Sequence, residues 1–257
     1  MQALLVVDFL QELRDRRPGF FEIAVLRAVD FLIFQRDVGQ LKVEVLAQYL
    51  RGRATAANFT VCPVDAAVYE EKGYRAALDC DFLFSCVDRP CGRYVLNLIA
   101  YSHLIPVIDG GIRGRANRLG KLAAADWRAH TATIGRPCLQ CLGQYDPGHG
   151  QMEREGLLDD PKYIEGLPKD HPLKSRENVF AFSMSWSCAS LQTLQMLALV
   201  LGLPNPGSQL YHFVGGVMEE PTFGSCHPEC LFPSLIALGD TSGVTATGEQ
   251  PRNAGES

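Results

Sequence analysis

Apolar residues recur at helical spacing from Leu41 onward: Leu41, Val45, Leu46, Tyr49 and Leu50, with Lys42, Glu44 and Gln48 between them. That spacing predicts an amphipathic helix, entered through the Asp37-Val38-Gly39 turn. Phe59 to Val64 reads as a strand, Ala66 to Leu78 as a helix interrupted at Gly73, and Phe82 to Val87 as a buried strand with Asp88 directly after it. Pro90, suited to a first helical turn, opens a helix through Tyr101. Ile105 to Ile108 forms the next strand, closed by Asp109-Gly110-Gly111 as a tight turn. Strands alternating with helices predict an α/β protein with a parallel sheet.

The pattern changes in the second half. Residues 143–178 hold many Pro, Gly and charged residues with little periodicity, which predicts a long crossover loop. An uncharged helix near 184–202 follows, then a strand over 209–214 and a turn containing cysteines. Residues 239–257, rich in Gly, Ser and Thr, read as a disordered tail. At the other end, residues 3–10 read as a short strand or helix start, and the rest of 1–36 has no clear period. No Asp, Glu, Lys or Arg occurs from Asn178 to Met218, and Val179 to Leu203 is long enough to span a bilayer. Ser183, Ser185, Ser187, Ser190, Gln192, Thr193 and Gln195 would be costly facing lipid, so a buried or subunit-interface helix is expected and no membrane partner.

Composition narrows the function. With 257 residues, one domain is expected, and 47% hydrophobic with 21% charged residues excludes a disordered or coiled-coil chain. The net charge of −5 without basic runs gives no footprint for a phosphate backbone, so no nucleic-acid partner is expected. Nine cysteines, an odd number in a long chain without a signal-peptide pattern, point to a reducing, cytoplasmic setting rather than a disulfide scaffold.

Four of those cysteines form two short pairs, Pro137-Cys138-Leu139-Gln140-Cys141 and Cys226-His227-Pro228-Glu229-Cys230. Each gap lets the chain fold back and present two sulfurs to one ion, and four thiolates close a tetrahedral zinc shell that would be structural. The alternative is four unrelated buried or redox cysteines, and His227 competes with a cysteine in the second pair. Asp88 lies where a strand ends and a helix begins, a position that suits either a Mg²⁺ or nucleotide contact beyond the sheet or a helix N-cap. Lys42, one turn past a glycine, suits either phosphate oxygens or plain solvation.

In order, DVGQLKVEVLA (37–47), CDFLFSCVDRPCGRYVLN (80–97), a strand into IDGG (108–111), PCLQC (137–141), a crossover, a helix and CHPEC (226–230) resemble the E1-like ThiF/MoeB/HesA adenylyltransferases, the group that includes the adenylation domains of ubiquitin-activating enzymes. The resemblance covers about residues 37–239. It implies a Rossmann-like fold, a mostly parallel sheet flanked by helices, with a zinc-clipped C-terminal segment and an adenylation domain over 37–238. It also implies use of MgATP to adenylate the C-terminal Gly-Gly carboxylate of a ubiquitin-like or sulfur-carrier protein, and a homodimer or a heterodimer with an E1-like subunit. By position it assigns Lys42 to the ATP phosphates and Asp88 to Mg²⁺ and the phosphates, both as catalytic residues. Arg93 becomes a further anion contact, Asn97 scaffold, and Cys138, Cys141, Cys226 and Cys230 the zinc ligands.

The chain departs from that pattern in two places. A G-x-G-x-x-G turn is absent from residues 1–36, an atypical or truncated segment, and backbone cradling of phosphates needs such glycines. The resemblance is therefore also compatible with a non-catalytic, zinc-binding E1-like subunit that docks a partner. Thioester-forming relatives carry a cysteine in the crossover; 143–178 has none, and the nearest candidate nucleophile is Cys188, which reads better as a buried apolar cysteine.

Overall fold

A computed structural model describes residues 4–8, 22–26, 37, 39–116, 122–159, 182–204, 207–220 and 224–242. Most of the expected disordered tail, half of the expected crossover loop and most of 1–36 lie outside these residues. The described elements are β1 (Leu4–Asp8), β2 (Glu22–Leu26), α1 (Lys42–Arg51), β3 (Thr60–Val64), α2 (Glu71–Leu78), β4 (Phe82–Ser85), α3 (Pro90–Ser102), β5 (Val107–Ala116), β6 (Leu122–Ala132), α4 (Pro147–Arg154), α5 (Phe182–Leu201), β7 (Gln209–His212) and β8 (Val217–Glu219). Short 3-10 turns at Leu157–Asp159, Phe232–Leu235 and Gly239–Ser242 complete them.

One eight-stranded sheet runs in the order β3-β1-β2-β4-β5-β6-β7-β8. The fold is mixed α/β, but the sheet is less parallel than expected. β2–β4 and β4–β5 pair in parallel, whereas β1–β2, β1–β3, β5–β6, β6–β7 and β7–β8 are antiparallel. The parallel pairs sit at the centre, where crossover helices bury both faces; the antiparallel strands extend the edges, where hairpins suffice.

Helices cover the two faces differently. On one, α3 packs through Val95, Leu98, Ile99 and Tyr101 against Leu83 and Val107, together with the cysteine-bearing loops and Phe232. On the other, α5 packs on Phe82, Ile108, Ala125 and Trp127 through Met184, Cys188 and Met196. Strand alternation makes this possible: Phe82 and Ile108 face α5, while their neighbours Leu83 and Val107 face α3.

α5 is the one helix among the described residues long and apolar enough to cross a membrane. Its buried polar groups explain its composition otherwise. Gln192 Nε2 donates to the carbonyls of Ser85 (3.2 Å) and Ile108 (2.9 Å), and Gln195 Nε2 donates to that of Ala129 (3.1 Å) while its Oε1 accepts from Thr131 Oγ1 (2.7 Å). The outward hydroxyls of Ser190 and Thr193 bond back to the helix carbonyls of Trp186 and Ala189, so neither needs an outside partner.

Several local expectations change. The Asp109-Gly110-Gly111 segment is not a turn: β5 continues through it to Ala116 and pairs with β6, a strand that its alanine-rich sequence hides. The glycines serve close approach. A Cβ on Gly110 would lie 2.4 Å from Gln192 Cδ, and one on Gly111 1.6 Å from Arg128 Nη1. The second predicted helix begins at Glu71 rather than Ala66, and Gly73 lies inside it because a Cβ there would sit 2.1 Å from the Ala67 carbonyl oxygen. The expected crossover loop contains α4, started by Pro147 and capped by Asp146, whose carboxylate accepts from the His149 amide (3.1 Å). Cys62 is exposed on β3, whereas Cys80 and Cys91 are buried.

Gly73→Ala should therefore force α2 away from the Ala67 carbonyl and lower stability by about 1–3 kcal/mol, read as a drop in thermal midpoint. An unchanged midpoint would contradict this packing.

Candidate functional site

The two cysteine pairs meet. The Sγ atoms of Cys138, Cys141, Cys226 and Cys230 all lie within 4.8 Å of one another, with Cys138 and Cys230 at 3.6 Å. Sulfurs at 2.3 Å from a tetrahedral zinc stand about 3.8 Å apart, so the cluster fits the ion with little adjustment. His227 is exposed and takes no sulfur's place; it contributes its backbone amide, which donates to Cys141 Sγ (3.4 Å). The amides of Cys141 and Cys138 donate likewise to Cys138 Sγ (3.4 Å) and Cys226 Sγ (3.1 Å). Such donors stabilise thiolate charge and fix the sulfurs' directions.

Burial pushes the Cys138 thiol far above its ordinary value and the Cys230 thiol up to about 11. Cys141 is shifted the other way: burial raises it, but the His227 amide and the neighbouring thiols outweigh that and lower it. Without an ion Cys138 and Cys230 stay protonated, and binding zinc must expel those protons. Four sulfurs leave no open position, so the metal's role is to clip chain to chain.

Side chains tie the clip to α3. Asn97, fully buried, accepts from the Leu139 amide (3.0 Å) and donates to Tyr145 Oη (3.3 Å), and Tyr101 Oη donates to the Arg136 carbonyl (2.8 Å). Phe232, just past the last cysteine, packs edge-on against Tyr94 and tilted against Tyr101. His130 on β6 bonds through Nε2 to the Pro137 carbonyl (2.9 Å) while its Nδ1 is buried with no partner among the described residues. Burial pushes His130 down to about 4, so it is neutral and Nε2 carries the proton.

A second cluster lies 'upstream' along α3, at the carboxyl ends of the parallel strands. Ser85 ends β4 and pairs in register with Asp109 of β5. Asp109, fully buried, accepts from Ser85 Oγ (2.6 Å), Arg93 Nε (3.2 Å) and Arg128 Nη2 (3.1 Å). Arg93, expected as an anion contact, thus ion-pairs with Asp109. Asp88 is exposed, three residues beyond β4 and one before Arg89, the N-cap of α3, so Asp88 is not the cap. The first turn of α3 is instead satisfied by Glu153 of α4, whose carboxylate accepts from the Cys91 amide (2.8 Å). Lys42 is the first residue of α1, half-buried. Cys188, by contrast, is a packed thiol, 4% exposed, donating to the Arg128 carbonyl (3.3 Å), and burial pushes it up to about 12. That environment suppresses the thiolate a thioester nucleophile requires.

The ThiF family model matches residues 30–230, most of the chain and both clusters. The chain belongs to the ThiF family. No curated protein matches the chain. ThiF proteins are in general E1-like, ATP-dependent adenylyltransferases. Sequence reasoning found the zinc cysteines through their spacing but missed Asp109, Arg128 and Glu153. Only the Gly110-Gly111 pair signalled the first two, since adjacent glycines in a strand mark close approach.

Two outcomes follow from this geometry. The protein should bind one zinc per chain by metal analysis, and Cys138→Ser should lose the metal and lower the thermal midpoint; a metal-free wild type refutes the site. His130, depressed from 6.5 to about 4 on folding, contributes stability present above pH 6.5 and lost as pH falls towards 4, by about 1.4 kcal/mol per unit. His130→Asn should flatten the wild-type fall in denaturation midpoint across that window.

Proposed function

We propose that this ThiF protein activates the C-terminal Gly-Gly carboxylate of a ubiquitin-like or sulfur-carrier protein, giving an acyl adenylate and pyrophosphate. The observation that carries the reading is the family match together with an exposed aspartate, Asp88, beyond the carboxyl end of β4 at the head of α3. In open α/β sheets ligands bind at that place. One carboxylate oxygen bonds to the α-phosphorus as the bond to the bridging oxygen breaks, and pyrophosphate leaves with the electron pair. The nucleophile is already ionised, so no base is needed; what the reaction requires is neutralisation of charge on the phosphates. Asp88 would hold Mg²⁺, which supplies that neutralisation, while Lys42, at the start of α1, and Arg93 would contact phosphate oxygens. Zinc takes no part beyond holding the clip. The reading places the protein in the cytoplasm, acting as a homodimer or with an E1-like partner subunit.

A second reading has its own observation. Residues 1–36 contain a single glycine, Gly19, so the G-x-G-x-x-G turn that cradles phosphates in such enzymes is missing from them. On that reading the chain is a zinc-clipped, non-catalytic E1-like subunit that docks a carrier or partner.

Carrier-dependent exchange of radiolabelled pyrophosphate into ATP separates the two. The enzyme reading expects exchange that falls by about a hundredfold or more in Asp88→Ala. Absence of exchange with every Gly-Gly carrier offered, in a protein that binds those carriers, selects the docking subunit.

A further inference from the structure

Among the described residues, charge beneath α3 does not balance. Asp109 has no exposed surface, and two guanidinium groups converge on its carboxylate, so the cluster carries one positive charge more than it neutralises. Burial holds the Arg128 charge at a cost that one shared carboxylate only partly offsets. Arg128 Nε is buried and has no acceptor among the described residues. Arg93 Nη2 reaches only the Gly110 carbonyl, at a long 3.5 Å. A structural ion pair needs one arginine; here a second is present with a donor left over.

Two further observations make this a seat rather than an accident of packing. Gly111 faces Arg128 across the β5–β6 pair, and any side chain there would collide with the guanidinium, so the strand is bare where the arginine lies. The arginines are also reachable, since Arg93 keeps 13% and Arg128 16% of its side chain exposed, while Asp109 keeps none. Their place is the end of the β4–β5 parallel pair, three residues before Asp88.

We propose that Arg93 and Arg128, which meet at Asp109, form an oxyanion subsite for a carboxylate or phosphate group, with the Asp109 carboxylate as the anion's resident competitor. Guanidinium forks match both groups bidentately, and the incoming anion restores neutrality and engages the donors left unpaired. The identity of the anion rests on the adenylyltransferase reading, under which it is the carboxyl terminus awaiting activation or a phosphate of the nucleotide.

Calorimetry and thermal shift on the full chain test this with two probes, inorganic pyrophosphate and N-acetyl-glycylglycine, the latter's C-terminal amide serving as blank. The wild type should bind at least one probe and ignore the amide, and Arg128→Gln should weaken that binding roughly tenfold or more. Arg128→Lys, which keeps the charge but loses the fork, should fall between them. Asp109→Asn removes the competing carboxylate, so its affinity for the anion should rise even as its midpoint without anion falls; a network serving only stability gives the fall alone. Which probe protects assigns the subsite to carboxylate or phosphate. Equal binding by wild type and Arg128→Gln, or no binding by wild type, overturns the proposal. Should Arg128→Gln fail to fold, the lysine and asparagine variants decide it. Exchange activity without anion binding would sink the subsite and leave adenylyl transfer standing; binding without exchange would do the reverse.

Discussion

Cys138 and Cys226 stand 88 residues apart, yet the amide of one donates to the sulfur of the other. Holding such distant segments together costs chain entropy, and each loop offsets part of it by burying Leu139 or Phe232 against α3. Zinc held by the four cysteines would offset that cost at one point, and the neighbouring side chains spread the constraint. Asn97, Tyr101 and Phe232 carry it into α3, and His130 carries it into β6 through Pro137. The helix that bears Arg93 is thus tied at its far end to the cysteine cluster and along its length to the sheet.

The sheet separates two kinds of polar burial. Towards α5 it buries neutral amides, Gln192 and Gln195, which saturate backbone carbonyls and leave no charge behind. Towards α3 it buries Asp109 with two arginines, where charge is left over. Neutral groups satisfied by backbone act as packing, whereas a buried charge left unbalanced is costly until another group pairs it. Cys188 lies on the quiet side, which accounts for its inert character.

Much of this was legible from spacing alone. The helix at Lys42, the strand at Phe82, the proline-started α3 and the four metal cysteines all follow from period, punctuation and residue chemistry. The failures share one physical cause, which is that partners distant in the chain decide the outcome. Asp109-Gly110-Gly111 looks like a turn until Arg128 and Gln192 occupy the space its missing side chains leave. β6 has too many alanines to announce itself, yet Ala125 and Trp127 pack beneath α5 and Arg128 and His130 work on the opposite face. The parallel sheet implied by alternating elements holds only where helices cross over; the edge strands answer to hairpin geometry.

The carboxylate of Glu153 gives α4 a mechanical significance. It belongs to α4, yet it closes the first turn of α3, three residues after Asp88. Removing that carboxylate would strip the Cys91 amide of its acceptor and loosen the start of α3, two residues past Asp88. α4 and the approach to Asp88 therefore share one support, the Glu153 carboxylate at the first turn of α3.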